Sequence, residues 1–345
     1  MRLLDRVARC RAPFALALSH HPSTRYEVTG AGRYAARVAD CPLRYVLGDD
    51  LTRACAELAF ADGARLAGCL DLLRVPARQM WIEWNDEVHQ RVIYETRSAA
   101  DYDPGAAGRR VGVLLEGSAD GRRAVMRTFW ADSSDDQGEV TLSPLETHID
   151  LRGEFVGAAD VSEALAGGFV RVDQPDDAGM DCLLEHLRFR FDDAWAAYYR
   201  AAAIHAGAQR EVLHASLAAI ARDAPLVLAF LLLLSAKDAT RSLPVSRAVI
   251  NRKRELQGRA ALLDHIEVRA SLNAVQEADA NGFEAAGRQS PRLHHVRGHL
   301  VRRDDRIFWR VPHLRGSGVR GMVRSRTVCL SFARPHAFER GAERM

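Results

Sequence analysis

The chain has 345 residues, of which 48% are hydrophobic and 27% are charged, and its formal net charge is +3. This length is enough to bury a sizeable core in two or three domains of ordinary size. The balanced composition excludes a long disordered chain, a collagen-like repeat and an extended coiled coil.

The first 75 residues are predicted to be mostly helical. LTRACAELAF at 51–60 follows the candidate caps Asp49 and Asp50, and ARLAGCLDLL at 64–73 has a second helical pattern. The six cysteines contain no CxxC pair, so we expect them to be reduced. Arginines interrupt the early apolar stretch and no cleavage site follows it, which predicts a cytoplasmic protein.

Period-two alternation then predicts an antiparallel sheet. Its strands are QMWIEWND at 79–86, RVGVLLE at 110–116, AVMRTFWA at 124–131 and EVTLSPLETHIDL at 139–151, separated by turn-rich segments. From Val161 the period becomes helical, including CLLEHLRFRFDDAWAAYYRAAA and a buried helix after Pro225. That last run, 225–236, has about half of the ~20 residues needed to span a bilayer.

The fold class expected from these patterns is α+β, with an antiparallel sheet region, a helical middle and an arginine- and histidine-rich C-terminal β-hairpin unit. We predict a mixed α/β N-terminal region at 1–158, a helical region at 159–260 and a basic, β-rich C-terminal region at 261–345. Within them, SRAVINRKRELQGR should form a basic helix and HIEVRASL at 265–272 a strand.

Charge is distributed unevenly along the chain. Residues 288–345 hold 14 arginines against four acidic residues, a net charge of +10, which leaves −7 on the remainder. A basic segment of this kind suits phosphate, nucleic acid or an acidic protein partner, or docking onto the chain's own acidic part.

The segment RLHHVRGHLVRRDDRIFWRVPHLRG at 292–316 is predicted to form a hairpin that turns at Asp304-Asp305. The expected register sets Val301 opposite Phe308, Leu300 opposite Trp309, His299 opposite Arg310 and Val296 opposite His313. One face of this hairpin would be apolar, and the other would carry histidines and arginines that are costly to bury without partners.

Two basic elements therefore supply the predicted binding surface, the helix around 245–259 and the exposed hairpin face. Arginine is suited to bidentate contact with phosphate, and a helix beside the hairpin would complete a positive cleft. The predicted nucleic-acid or partner-binding residues are Arg247, Arg252, Lys253, Arg254, Arg259, His295, Arg297, His299, Arg310 and Arg315.

Other candidate sites have weaker support in the sequence. On a strand, His295 and His299 would be ~13 Å apart, too far to share a metal ion, so we predict no metal and no cofactor. Trp81, Glu83, Trp84, Asp86 and Glu87 could form a sugar or acid/base site, as could His148 with Asp150, although a structural role is expected for both. Asp264 beside His265 could act as a general base or as a helix cap.

Three stretches together resemble a large family of phage and prophage proteins from Proteobacteria. They are MWIEWND with RVGVLLE, SRAVINRKRELQGRAALLDHIEVR and HHVRGHLVRRDDRIFWRVPHLRG, and they cover most of 79–316. The resemblance implies similarity to anti-CRISPR inhibitors of type V effectors that act on the effector's translation or messenger RNA. Relatives have Pro-Pro where this chain has Ala260-Ala261, and no functional residue is carried over.

We therefore expect a phage or mobile-element regulator that binds RNA or a ribonucleoprotein and is not an enzyme. Two alternatives stay open. One is a nuclease or phosphoesterase that uses histidine and Asp264 as acid and base, and the other is an adaptor that binds an acidic protein segment. No membrane partner is expected, and the sequence does not indicate an oligomeric state.

Overall fold

The computed structural model describes residues 2–10, 15–17, 27–29, 31–96, 108–132, 140–153, 155, 168–170, 180–193, 195–196, 217, 220–236, 239–271, 292–296, 299–303, 306–310, 313–315 and 317–322. They belong to two compact units. One unit comprises Met1–Ser271 with Leu300–Trp309, and the other comprises Leu272–His299 with Arg310–Met345.

The described helices lie in the first unit. They are α1 (Leu3–Val7), α2 (Ala35–Ala39), α3 (Asp49–Ala61), α4 (Gly63–Ala67), α5 (Asp86–Thr96), α6 (Met180–Leu184), α7 (Asp223–Ser235) and α8 (Ala248–Leu256), with 3-10 turns at Ala31–Tyr34 and Leu70–Leu72. No helix among these has the length and apolar composition needed to cross a bilayer.

A mixed, mostly antiparallel sheet forms the centre of the first unit. Its strands are β3 (Leu43–Leu47), β4 (Gln79–Asn85), β5 (Arg109–Gly117), β6 (Arg123–Asp132), β7 (Thr141–Asp150), β8 (Leu187–Phe191), β9 (Thr240–Val245) and β10 (His265–Ala270). Their order is β8-β7-β6-β5-β4-β3-β10-β9. A separate antiparallel pair joins β1 (Ala15–Ala17) to β2 (Glu27–Thr29). The sheet with its helices confirms the predicted α+β class.

Strands β4 to β7 confirm the sheet region predicted from alternation, and each pairs antiparallel with the next. The order differs from a plain antiparallel sheet at β3, which runs parallel to both β4 and β10. The sequence analysis did not predict β3, because its five residues lie within a stretch of helical patterns. The sheet draws strands from all three of the regions proposed from the sequence.

The expected helix over CLLEHLRFRFDDAWAA is wrong in its centre. Met180–Leu184 before it and the described residues Asp193, Trp195 and Ala196 after it are helical, whereas LRFRF forms strand β8, which pairs antiparallel with β7. Leu187, Phe189 and Phe191 are buried, and they alternate along β8 with Arg188 and Arg190. This period of two is a strand signal, but the helical patterns on both sides obscure it.

One face of the sheet carries the larger core. Met80, Ile82 and Trp84 of β4 point into it, and helices α3, α5 and α7 pack there. Helix α7 is apolar all round and its first eleven residues are buried, as expected for a helix enclosed on every side. The prediction of a buried helix after Pro225 is confirmed.

The opposite face carries a second core, built on Trp81 of β4 and on residues of α1, α2 and the 3-10 turn before α2. Strand β4 is therefore covered on both faces, and its Trp81, Glu83 and Trp84 are completely buried. Helices on both faces of a sheet bury its central strands entirely.

Strand β9 is at one edge of the sheet and pairs with β10 only. Pro244 lies within it, opposite Ile266. Proline has no backbone N–H to donate to a neighbouring strand, so an edge strand is where it is tolerated. Helix α8 follows β9 and confirms the predicted basic helix, and β10 confirms the predicted strand at 265–272.

The C-terminal strands are β11 (Arg292–Val296), β12 (His299–Arg303), β13 (Arg306–Arg310), β14 (His313–Arg315) and β15 (Ser317–Met322). Strands β12 and β13 pair with each other, while β11 lies between β14 and β15 in a three-stranded sheet. Val296 is opposite His313, as predicted, although this pair belongs to the three-stranded sheet. The three predicted pairings within β12 and β13 stay predictions.

Candidate functional site

Helix α8 is held to the body of the protein by polar contacts on one side only. The Asn251 side chain donates to the carbonyl of Leu262 at 2.9 Å and accepts from its backbone N–H at 2.8 Å. At the start of the helix, a carboxylate oxygen of Asp264 accepts from the backbone N–H of Arg247 at 2.5 Å. Asp264 thus has the capping role that the sequence analysis weighed against general-base chemistry.

The loop after α8 is fixed by two arginines. Arg254 donates to the carbonyl of Ala260 at 2.7 Å, and Arg9 donates to the carbonyls of Ala260 and Ala261 at 3.2 and 2.9 Å. These contacts hold the loop at Ala260-Ala261. Two of the predicted binding residues on this element, Arg247 and Arg254, are therefore partly engaged in local structure.

The outer side of α8 is open to solvent, and no residue of this helix is buried. Arg252, Lys253 and Arg259 are exposed, and in the described part of the chain none of their side chains has an ion-pair or hydrogen-bond partner. Val249 and Leu256 are 71% and 89% exposed. Residues 249, 252, 253 and 256 share one helical face, so this face combines cations with apolar side chains.

The predicted binding residues of the C-terminal segment lie on short strands. His295 is on β11 opposite Leu314, and Arg315 is on β14 opposite His294. His299 begins β12 and Arg310 ends β13, while Arg297 lies outside the described residues. The predicted cleft between α8 and these strands involves both compact units and stays a prediction.

A buried polar cluster lies between helices α5 and α7, and it was not predicted as a unit. Asp86 and His89 are on α5, and Asp223 is the first residue of α7. His89 Nδ1 is 3.4 Å from Asp86 Oδ1 and 3.8 Å from Asp223 Oδ1. The three residues are at most 5% exposed. Aromatic rings of Phe60 and Trp84 flank the imidazole of His89.

The two carboxylates of this cluster have different electrostatic environments. Burial and the nearby charge of Asp86 hold the pKa of Asp223 well above its usual range. Burial alone would also raise the pKa of Asp86, but the hydrogen bond with His89 and the charge of Arg109 lower it. Arg109 contacts Asp86 Oδ2 through Nε at 2.7 Å and through its terminal nitrogen at 2.6 Å.

A second buried network lies across β6, β7 and β8 around Glu146. This carboxylate contacts Arg127 and His148 at 2.8 Å each and Arg190 at 2.5 Å. Burial would raise the pKa of Glu146, but hydrogen bonds from His148 and Arg190 and the charge of Arg127 lower it to about 2. A carboxylate held ionised by three partners serves structure rather than proton transfer at neutral pH.

The tryptophan-carboxylate pattern of β4 also has a structural role. Glu83 accepts from the backbone N–H groups of Leu3 and Leu4 at 3.2 and 3.0 Å, which holds α1 against the sheet. Both indoles are completely buried, whereas stacking on a sugar requires an exposed ring. Asp150, the partner proposed for His148, instead accepts from Arg123 and from the backbone N–H of Arg152.

The polar residues that sequence reasoning missed are His89, Arg109 and Asp223. The three-residue spacing of Asp86 and His89 places both on one helical face, which is a signal in the sequence. Asp223 lies far along the chain, next to an apolar helix, and only the fold brings it to α5. No protein-family model matches the chain, and no curated protein and no solved structure matches it.

Proposed function

We propose that the chain is a regulatory protein of a phage or mobile element that binds RNA, free or within a ribonucleoprotein, through the outer face of α8. The observation that carries this proposal is the exposure of Arg252, Lys253 and Arg259 without acidic partners among the described residues. An unneutralised group of cations on α8 and on the loop that follows it is the footprint expected for a phosphate backbone.

Several other arginines among the described residues of the first unit are paired with carboxylates. Arg53 contacts Glu57 and Glu95, Arg65 contacts Asp62, and Arg91 contacts Glu87. A cation that is already paired gains little from a phosphate, because its own carboxylate must first be displaced. The cations of α8 carry no such cost.

The apolar part of the same face supports a partner that offers more than phosphate. Val249 and Leu256 would lose contact with water beside a nucleobase, a ribose or the protein part of a ribonucleoprotein. A cytoplasmic inhibitor of a host-defence ribonucleoprotein, the role implied by the resembling family, is consistent with such a mixed surface.

The test compares two triple variants of the full-length chain by fluorescence anisotropy with a labelled single-stranded RNA. Arg252→Gln, Lys253→Gln and Arg259→Gln are combined in one variant. Arg53→Gln, Arg65→Gln and Arg91→Gln form the matched control, because they remove the same charge from paired arginines. We expect the α8 variant to bind on the order of tenfold more weakly and its logarithmic salt dependence to flatten by about 2.

Four results would contradict this function. Affinity that does not change with salt would exclude phosphate contacts, and equal losses in the two variants would show a nonspecific charge effect. If the chain binds no RNA, and an acidic peptide displaces the proteins that are bound to it, the adaptor function would be favoured. Cleavage of the labelled RNA by the purified chain would favour the nuclease instead.

A further inference from the structure

We propose that Asp86, His89 and Asp223 form a binding site for one divalent transition-metal ion, with Zn²⁺ as the ion tested. The ligand atoms of the three residues all lie within 4.8 Å of one another, and each residue is buried. The site would join the start of α5, directly after the central strand β4, to the start of the core helix α7.

The spacing of the ligand atoms favours an ion over direct hydrogen bonds. His89 Nδ1 lies 3.4 Å from Asp86 Oδ1 and 3.8 Å from Asp223 Oδ1, whereas good hydrogen bonds of this kind measure about 2.9 Å. Ligands that share a tetrahedral zinc ion at bond lengths of about 2.1 Å are about 3.4 Å apart. The two separations from His89 are therefore close to those that an ion requires, and all three ligand atoms lie within 4.8 Å of one another.

The donor set suits a first-row transition ion. One imidazole and two carboxylates are ligands that zinc accepts, and the imidazole distinguishes the site from an all-oxygen magnesium or calcium site. Arg109 occupies Asp86 Oδ2 and leaves Oδ1 directed at the cluster. Ligating carboxylates commonly receive such an outer hydrogen bond, which orients them.

An independent observation comes from Gln90, the residue after His89. Its side chain is directed at the cluster, with Nε2 3.4 Å from Asp86 Oδ1, and the residue is 5% exposed. Within the described residues, its Oε1 has no hydrogen-bond partner. A buried acceptor without a donor is costly, and a water molecule bound to the metal ion would supply that donor.

The burial of the cluster and its aromatic neighbours suggest a structural ion. Phe60 and Trp84 lie against His89 at ring distances of 5.6 and 6.2 Å, and all three ligands are buried. A substrate would have to displace these rings to reach the cluster.

The test uses full-length protein that has been stripped with a chelator, equilibrated with Zn²⁺ and analysed for bound metal by mass spectrometry. We expect one Zn²⁺ per folded chain, and its loss in His89→Gln and in Asp223→Asn. Asparagine has the shape of a neutral aspartic acid, so Asp223→Asn should keep the fold, which circular dichroism checks. His148→Gln is the matched control, because His148 also faces a buried carboxylate but belongs to no three-ligand cluster among the described residues.

A measurement on the unmodified chain does not depend on whether the variants fold. X-ray absorption at the zinc edge should show nitrogen and oxygen ligands without sulfur, which distinguishes this cluster from the cysteines. Sulfur ligation, no zinc bound by the folded chain, or undiminished binding in both variants would overturn the site.

Discussion

Arg110 of β5 meets Glu83 of β4 with Nε 2.5 Å from Oε1, and the glutamate side chain is fully buried whereas the arginine is about one quarter exposed. The same carboxylate holds the backbone N–H groups at the start of α1. The buried Glu83 carboxylate thus joins two strands and a helix. Its charge is balanced by Arg110, whose side chain is partly exposed at the surface.

Removing that cation should be costly. Arg110→Met would leave the Glu83 carboxylate buried with too few partners, and we expect the free energy of unfolding to fall by about 3 kcal/mol. Urea denaturation measures this change. Arg91→Met is the control, because its ion pair with Glu87 is exposed and should contribute less than about 1 kcal/mol. Equal effects of the two substitutions would contradict the role given to Glu83.

Acid sensitivity should depend on Glu146. Its pKa is about 2 in the folded chain and near 4.5 when unfolded, so its ionised form stabilises the fold above pH 4.5. That contribution, about 2 kcal/mol after allowance for solvent screening, should be lost as the pH falls from about 4.5 to about 2. Glu146→Gln should therefore be less stable than the wild type at pH 7, with a gap that narrows in acid. A gap that widens in acid would show the opposite coupling.

Tyr34 should contribute through its hydroxyl. Its O–H donates to Asp192 Oδ2 at 2.6 Å, and burial together with the charge of Asp192 raises its pKa to about 12. Tyr34→Phe should cost about 1.5–3 kcal/mol, because the lost bond is to a charged group. In thermal unfolding, Tyr45→Phe should have a smaller effect, since no described residue bonds to that hydroxyl.

Gly112 lies on β5 opposite Glu83, where the strand passes directly over the ring of Trp81. A Cβ atom there would overlap several carbons of the indole, including Cη2 at 2.9 Å. Because Trp81 is completely buried and cannot move aside, Gly112→Ala should destabilise the fold by about 3 kcal/mol. Gly258→Ala is the control, since only its positive φ, not a neighbouring atom, opposes a side chain there. Tryptophan fluorescence during denaturation would report both.

The elements that could be predicted from the sequence are those whose local pattern agrees with their surroundings. Strands β4 to β7 alternate clearly, and α7 is too apolar to lie anywhere but in a core. β3 and β8 could not be predicted, because each is five residues long and is flanked by helical patterns. Their conformation comes from pairing with neighbours that are distant in the chain.

The buried cluster of Asp86, His89 and Asp223 likewise could not be predicted from local sequence. Asp86 was recognised as a candidate for acid/base chemistry, but with the tryptophans and acids beside it in sequence. In the fold its neighbours are His89, Arg109 and Asp223, which come from one helix, one strand and another helix. The exposed cations of α8 could be predicted because a short surface helix carries its own charge pattern.

Pro244 has a consequence for how copies of the chain meet. An edge strand with free N–H and C=O groups is a template with which a strand of a second molecule can pair. Strand β9 interrupts that template with a residue that cannot donate, and the exposed guanidinium of Arg241 adds charge repulsion between like molecules. At high concentration, this edge of the sheet should therefore resist strand-by-strand self-association.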